Sequence, residues 1–330
     1  MFDSKSSHPR PLNVFVRPGS KAETVWRRRA SKGKVSPKRK LTEAQAIAPG
    51  FPPRPELNLI DNGGPIIPNL VYTNFFVGGN DAWDPQDIQQ IDANLAAAMS
   101  DQGLNNVLIQ YFRGAPNITS TFNPSTILPG AAPASMSQAD VEALVTSLQN
   151  AGSLAGFDFS STVFNFMLPR GVVLTIGDGS GDRAAQARSG EAEEAVSSLQ
   201  GLGGFHGSVH VGGQTILYAA GVFSEGNNGI VAFDESWKNV VATFYHELVE
   251  ARTDAGVEDN NVAWVNGESP SEEIGDIPMT LAGSDLSKVM KEVPLADGSG
   301  TVPIQLMWSN AVAGPEGPIP NPNRAAAQKQ

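Results

Sequence analysis

The sequence predicts a mixed α/β (α+β) domain in which helices pack against one mixed β-sheet. Two observations lead there. Apolar, β-branched runs of strand length alternate with segments of helical spacing along most of the 330 residues, and 34 Gly and 24 Pro punctuate them with turns. One helix, read over 237–254, is apolar at its start and ends in a group of ionisable residues, so a polar site sits against the core. A chain of this length buries a full core, and one large domain with extensions fits it better than two equal halves.

The elements follow in order. Residues 70–77 (LVYTNFFV) are aromatic and β-branched and read as a buried strand; the turn GGND follows, then a helix over 85–99 with Pro85 at its first position. Residues 106–112 (NVLIQYF) read as the next strand, followed by a polar loop rich in Pro, Thr and Ser. Ser137, with Asp140 three residues on, predicts a helix start, and that helix runs to about residue 150. Residues 163–168 and 172–176 read as two strands joined at Pro169, Arg170 and Gly171. The run DGSGD at 178–182 lacks the sixth-position glycine and twelfth-position acid of an EF-hand loop, so it reads as a turn into a helix over 183–200. Strands around His210 and over 216–222 precede the helix of 237–254, which Gly256 and the polar run EDNN bring to an end. A last strand is expected near 304–308.

Charge divides the chain unevenly. Residues 1–56 hold 13 of the 23 Lys and Arg but only 4 of the 34 Asp and Glu, so a basic extension precedes an acidic body. Nine of those basic residues lie in 21–40, and the extension closes on APGFPPRPEL, the composition of a linker. The expected organisation is therefore a basic, Pro-rich flexible extension over 1–56, a folded domain over 57–312 and a Pro/Ala-rich tail over 313–330. A basic run of this kind binds an anionic or protein partner, or the acidic body of its own chain; with Trp26 as its one aromatic residue, specific nucleic-acid recognition ranks low. No uninterrupted apolar stretch precedes a small-residue cleavage site near the start, and no window approaches a transmembrane span. Cytoplasmic residence is the default expectation, with export by a signal-independent route as the alternative.

The absence of cysteine excludes disulfides, thiolate metal sites and a cysteine nucleophile. Any metal must be held by histidine and carboxylate, and only His8, His206, His210 and His246 exist. Within ATFYHELVEARTD (242–254), His246, Glu247 and Glu250 form H-E-x-x-E. On a helix, positions i and i+4 share a face, so His246 and Glu250 can converge on one cation while Glu247, one step round, faces a bound water. The H-E-x-x-H pattern of zinc hydrolases works in this way, with the glutamate as general base; a glutamate in place of the second histidine makes the metal a weaker Lewis acid and admits harder cations. Without a cation, an arginine such as Arg252 is the other partner for this trio. A third ligand is expected from SEEIGDIP, where Glu273 is the first choice and Asp276 an outer partner or substitute. His206 or His210 can add a nitrogen ligand or stabilise an oxyanion; an ordinary core or surface histidine is the alternative for each. Tyr245 and Tyr218 are candidate proton donors, with packing the simpler role.

Several segments together resemble the Exordium or phosphate-induced protein family, first known from plants, and its bacterial and fungal relatives. They run in the family's order: YTNFFVGGNDAW (72–83), VVLTIGD, GFHG (204–207), Tyr218–Ala219, HELVEARTD (246–254), Trp264, EIGD (273–276) and VPIQLMWSNA. The resemblance covers about residues 65–312 and leaves out the basic extension. It implies a zincin-like metallopeptidase fold and carries over His246, Glu247, Glu250, Glu273 and His206. Many relatives are secreted and carry cysteines near GFHG and EIGD, which this chain lacks, so secretion does not transfer. The expected function is a zinc-dependent hydrolase, a metallopeptidase acting on a peptide or protein substrate: His246, Glu250 and Glu273 would hold Zn²⁺ or another divalent cation, and Glu247 would act as general base. The alternative is a non-catalytic, metal-stabilised binding protein, anchored by its basic arm to an anionic partner or larger assembly.

Overall fold

In the computed structural model, residues 14–30, 48–176, 196–256, 261–266 and 273–323 are described. The centre of the molecule is a six-stranded mixed sheet of β1 (Val14–Val16), β3 (Asn69–Phe76), β4 (Thr119–Ile127), β6 (Thr162–Leu168), β9 (Leu202–Val211) and β10 (Gln214–Val222), in the order β1-β9-β10-β6-β3-β4. The three pairings from β10 to β4 are parallel, and β9 runs antiparallel to both β10 and β1. Four smaller ladders surround it: β2 (Leu59–Asp61) with β11 (Trp264–Asn266), β12 (Met290–Pro294) with β13 (Thr301–Gln305), β14 (Met307–Ser309) with β15 (Gly314–Glu316), and β7 (Val173–Ile176) between β5 (Ser135–Ser137) and β8 (Val196–Ser197).

Strand alternation gives the main sheet two apolar faces, and each is covered. On one face Tyr72, Phe76, Val163, Met167, Leu217 and Ala219 meet α2 (Pro85–Ser100), α3 (Gln102–Leu108) and the long helix α5 (Ser236–Thr253). On the other, Phe75, Phe164, Phe166, Phe205, Tyr218 and Ala220 pack on Val141 and Val145 of α4 (Gln138–Asn150), with Val14 and Trp26 at the edge. This is the predicted mixed α/β domain. Each fully buried Leu, Val or Phe on these faces contributes about 1.5–3 kcal/mol.

Helix ends were set by residues visible in the chain. Asp84 caps α2 by accepting from Gln86 N–H, with Pro85 behind it, and Ser137 and Asp140 form a reciprocal capping box on α4. Every residue from Asn239 to Thr253 of α5 is buried, which explains why the helix lacks a polar outer face.

Four expectations are corrected. Residues 106–112 are not a strand: Asp101 accepts from Leu104 N–H and starts α3, and a 3₁₀ turn at Ile109–Tyr111 continues it. The polar loop after it contains β4, an edge strand whose exposure hides its pairing with β3. The strands expected over 163–168 and 172–176 both form, one in the main sheet and one in the three-stranded sheet. The helix expected over 183–200 lies largely outside the described residues, and its final five positions are β8 and a 3₁₀ turn, Ser198–Gln200. The last strand, expected near 304–308, is instead β13 and β14, interrupted at Leu306.

The two extensions also differ from the reading of their composition. Val14–Val16 is an edge strand of the main sheet, α1 (Lys21–Ala30) packs beside β8, and Phe51 contacts the core, so parts of 1–56 belong to the fold. Apolar anchors at Val14, Phe15 and Trp26 fix the segment despite its net charge. At the other end β15 pairs with β14, and the amides of Ile319 and Asn323 donate to the carbonyls of Gly103 and Asn106. Among the described residues no helix is long and apolar enough to cross a membrane.

Candidate metal centre

The α5 helix brings the H-E-x-x-E residues against β9, β13 and the turn that leads into α6 (Asp276–Ala282). Close approach needs glycine at two places. A Cβ on Gly204 of β9 would stand 2.7 Å from the Ala220 carbonyl and 3.1 Å from Glu247 Oε1, so the carboxylate of Glu247 lies over the bare backbone of the strand. A Cβ on Gly275 would stand 2.3 Å from His246 Nδ1. Both positions are closed to any larger residue without displacement.

His246, Glu247, Glu250, His206 and Glu273 are all buried, and Asp276 is 9% exposed. His246 Nε2 lies 3.0 Å from Glu250 Oε2 and 3.8 Å from Asp276 Oδ1. His206 Nε2 lies 3.1 Å from Glu273 Oε2 and 3.8 Å from Glu250 Oε2. The 3.0 Å approach of His246 to Glu250 is close enough for a hydrogen bond, yet the two atoms are not aligned for one, and each lacks any other hydrogen-bond partner. Both oxygens of Glu247 are also buried without a hydrogen bond. Lone pairs that approach one another without bonding are the arrangement expected of ligands aimed at a common point.

The surroundings orient these groups. The Nδ1 of His246 lies 3.0 Å from Gln305 Oε1, and Gln305 Nε2 donates to the carbonyl of Gly275. Since the Gln305 oxygen is thereby the acceptor, His246 carries its proton on Nδ1 and turns the Nε2 lone pair toward the carboxylates. Gly275 N–H donates to Glu250 Oε1 at 3.0 Å, which leaves Oε2 as the converging atom.

Burial drives the electrostatics. It raises the carboxyl of Glu247 well above the usual range, with Glu250 and Asp276 adding like-charge repulsion. Glu273 is raised well above it in the same way, by burial and then by Glu250, Asp254, Asp276 and Glu247. For Glu250 burial acts upward too, but His246, His206 and the Gly275 amide outweigh it and hold the group below its ordinary value. Burial brings His206 down to about 4, so its ring is neutral at physiological pH.

Among the described residues, two groups of three have ligand atoms within 4.8 Å of one another: His246, Glu250 and Asp276, and His206, Glu247 and Glu250. The structure therefore gathers all six expected residues, but Asp276 rather than Glu273 accompanies His246 and Glu250, while Glu273 stands against His206. Arg252 is not the partner of the trio: it donates to the carbonyls of Ile67, Pro68 and Thr119 and to Ser120 Oγ, with its guanidinium 4.9 Å from the Phe112 ring centre. Its burial lowers the group to about 10, so it stays charged. Exposed His210 bonds Thr215, and Tyr218 donates to Glu142 of α4 on the far face of the sheet, so neither joins the centre. Tyr245 is buried in the core. His8 and Glu272 lie outside the described residues.

Sequence reasoning missed Gln305, whose only signal was its place in the strand TVPIQ, and the roles of Gly204 and Gly275. It also missed Phe15, whose ring centre lies 4.1 Å from that of His246. An apolar triplet inside a basic extension was the available signal. Comparison of the chain with protein-family models, curated proteins and solved structures finds no match in any of the three.

Proposed function

We propose that this protein is a zinc-dependent hydrolase, a metallopeptidase of zincin-like type related to the Exordium family. The observation that carries the reading is the set of buried, unbonded lone pairs on His246 Nε2, Glu250 Oε2 and both Glu247 oxygens. Several kcal/mol would be lost by each uncompensated buried carboxylate, and a divalent cation offsets that cost for all of them together. His and carboxylate donors with no thiolate suit zinc and also admit harder divalent ions.

His246, Glu250 and Asp276 are the donor set that the distances favour, with Glu273 acting through His206; the sequence-based set, with Glu273 as third ligand, is the competing assignment. Zinc, when bound, supplies a Lewis acid for the scissile carbonyl and lowers the pKa of water. The chain's own residues do the rest. Glu247, whose surroundings give its carboxyl a high proton affinity, takes a proton from the attacking water at a carboxylate oxygen and returns it to the departing amine nitrogen. One water adds across one amide bond, giving a carboxylate and an amine. Gln305 keeps the His246 proton on Nδ1, and the apolar walls of α5 and the sheet exclude bulk water.

The burial of the whole centre also favours a second reading, a metal-stabilised scaffold that binds a partner. Metal analysis of the purified full chain together with a peptide-cleavage assay separates the two. Stoichiometric zinc with cleavage supports the hydrolase; zinc without cleavage of any peptide supports the scaffold; and zinc in neither wild type nor His246→Ala removes both.

A further inference from the structure

A hydrolase needs its substrate to reach the metal, yet His246, Glu247, Glu250 and Glu273 have no exposed surface beyond 1%. One wall of this enclosure is the chain's own N-terminal segment, which lies against His246. β1 adds to the outer edge of β9, with Phe15 opposite Gly204, the strand position over which Glu247 lies. The Phe15 side chain is fully buried between the His246 ring, at 4.1 Å, and an apolar pocket of Ile230, Ala242, Met279 and Ala282. A Cβ on Gly203 would stand 2.7 Å from the Phe15 ring, so the strand floor is also shaped to that side chain. Beyond β1, Trp26 is buried against the opposite face of the sheet, and Arg27 donates to Thr280 of α6, which ties α1 to the helix carrying Asp276. The space left beside Asp276, lined by Val14, Val16, Trp26 and Arg27, is about 30 Å³, room for one water and not for a peptide.

We infer that residues 14–30 are a displaceable plug occupying the path along which an extended peptide substrate enters, and that the Phe15 pocket selects a large apolar side chain in that substrate. The inference rests on the hydrolase reading above for the word substrate, but the plug itself does not need it. Three features of the site support displacement over a permanent structural role. The pairing of β1 with β9 extends over only three residues and is broken by a bulge between Phe15 and Val16. The edge of β9 offers main-chain groups to any extended chain, with His246 and Glu247 directly beside it. The plug lies on a body carrying 30 acidic against 10 basic residues, and its own Arg17, Lys21 and Arg27 are attracted to that body by forces that salt screens.

Hydrogen exchange on the full chain tests this with Phe15→Asp, which sets a carboxylate against the carboxylates of the centre, and with the milder Phe15→Ala. The expected result is exchange at least tenfold faster in 14–27 and in Leu202–Phe205, with β6 and the middle of α5 as protected as in wild type. Unchanged exchange in both variants overturns the plug, and so does loss of protection throughout β6 and β10, which would make β1 an integral strand. Zinc content of the same samples is read separately: no zinc in a variant with locally confined exchange overturns the metal reading and leaves the plug standing. For zinc-loaded Phe15→Asp, quenched peptides bearing Phe or Leu are expected to be cut at least tenfold faster than by wild type. Equal cutting of peptides in which that residue is Asp overturns the pocket assignment, and no cutting of any peptide overturns the substrate class.

Discussion

At the scale of single residues the centre makes separable demands, and point changes isolate them. Glu247→Gln keeps the shape and removes the proton acceptor, so zinc content should be unchanged while kcat falls by about 10²–10⁴. Full turnover in that variant would end the general-base assignment. Asp276→Asn and Glu273→Gln decide the third donor: with Asp276 beside His246 and Glu273 against His206, the first is expected to lose zinc and the second to keep most of it, read by elemental analysis after dialysis. The reverse pattern would restore Glu273 as ligand. His206, His246, Glu247, Glu250, Glu273 and Asp276 were all legible in the sequence because metal chemistry without cysteine restricts the donors to histidine and carboxylate, and a helix fixes the spacing of three of them. The choice between Asp276 and Glu273 was not legible, since three residues of turn and helix start decide which carboxylate faces His246. Gln305 was hidden for a related reason: its part depends on a pairing between segments 59 positions apart.

At the scale of elements, the position of α5 over β9 depends on the absence of side chains beneath it. Gly204→Ala places a methyl group against the rigid Ala220 carbonyl, and the expected loss is about 1–3 kcal/mol in urea denaturation, with kcat reduced as Glu247 is pushed aside. A neutral effect would show that the helix can shift at no cost. α2 and α4 were readable in advance because a capping residue acts through its immediate neighbours. Residues 106–112 were misread because a short apolar run carries no period of its own; Leu104, Val107, Leu108 and Tyr111 follow helical spacing once Asp101 is recognised as a cap. β4 went unseen for the opposite reason, since an edge strand with alternating partial exposure and an internal proline has the composition of a loop.

At the scale of the whole molecule, stability and metal binding are linked through protons. Folded metal-free protein keeps protons on Glu247 and Glu273 that the unfolded chain, titrating near 4.3, releases at neutral pH. The native state binds more protons, so stability falls as pH rises; His206 acts the other way, but only below about 6.5, where the unfolded histidine becomes charged. Between about pH 6.5 and 8 the Tm of the metal-free protein should therefore decline. Saturating zinc should raise Tm, by about 4 kcal/mol of stabilisation at a thousandfold excess over Kd, and remove that slope. A metal-free Tm that climbs across this window would contradict the account of the buried carboxylates.

Arg252 sits one turn of α5 from the centre, and three of its four hydrogen-bond acceptors are main-chain carbonyls, of Ile67, Pro68 and Thr119. Any amino acid supplies a carbonyl, so substitutions at 67, 68 and 119 leave the anchor of the helix almost intact, whereas a change at 252 removes it in a single step. Variation is thus tolerated very unequally on the two sides of the same contact: the receiving strands can drift while the donor cannot.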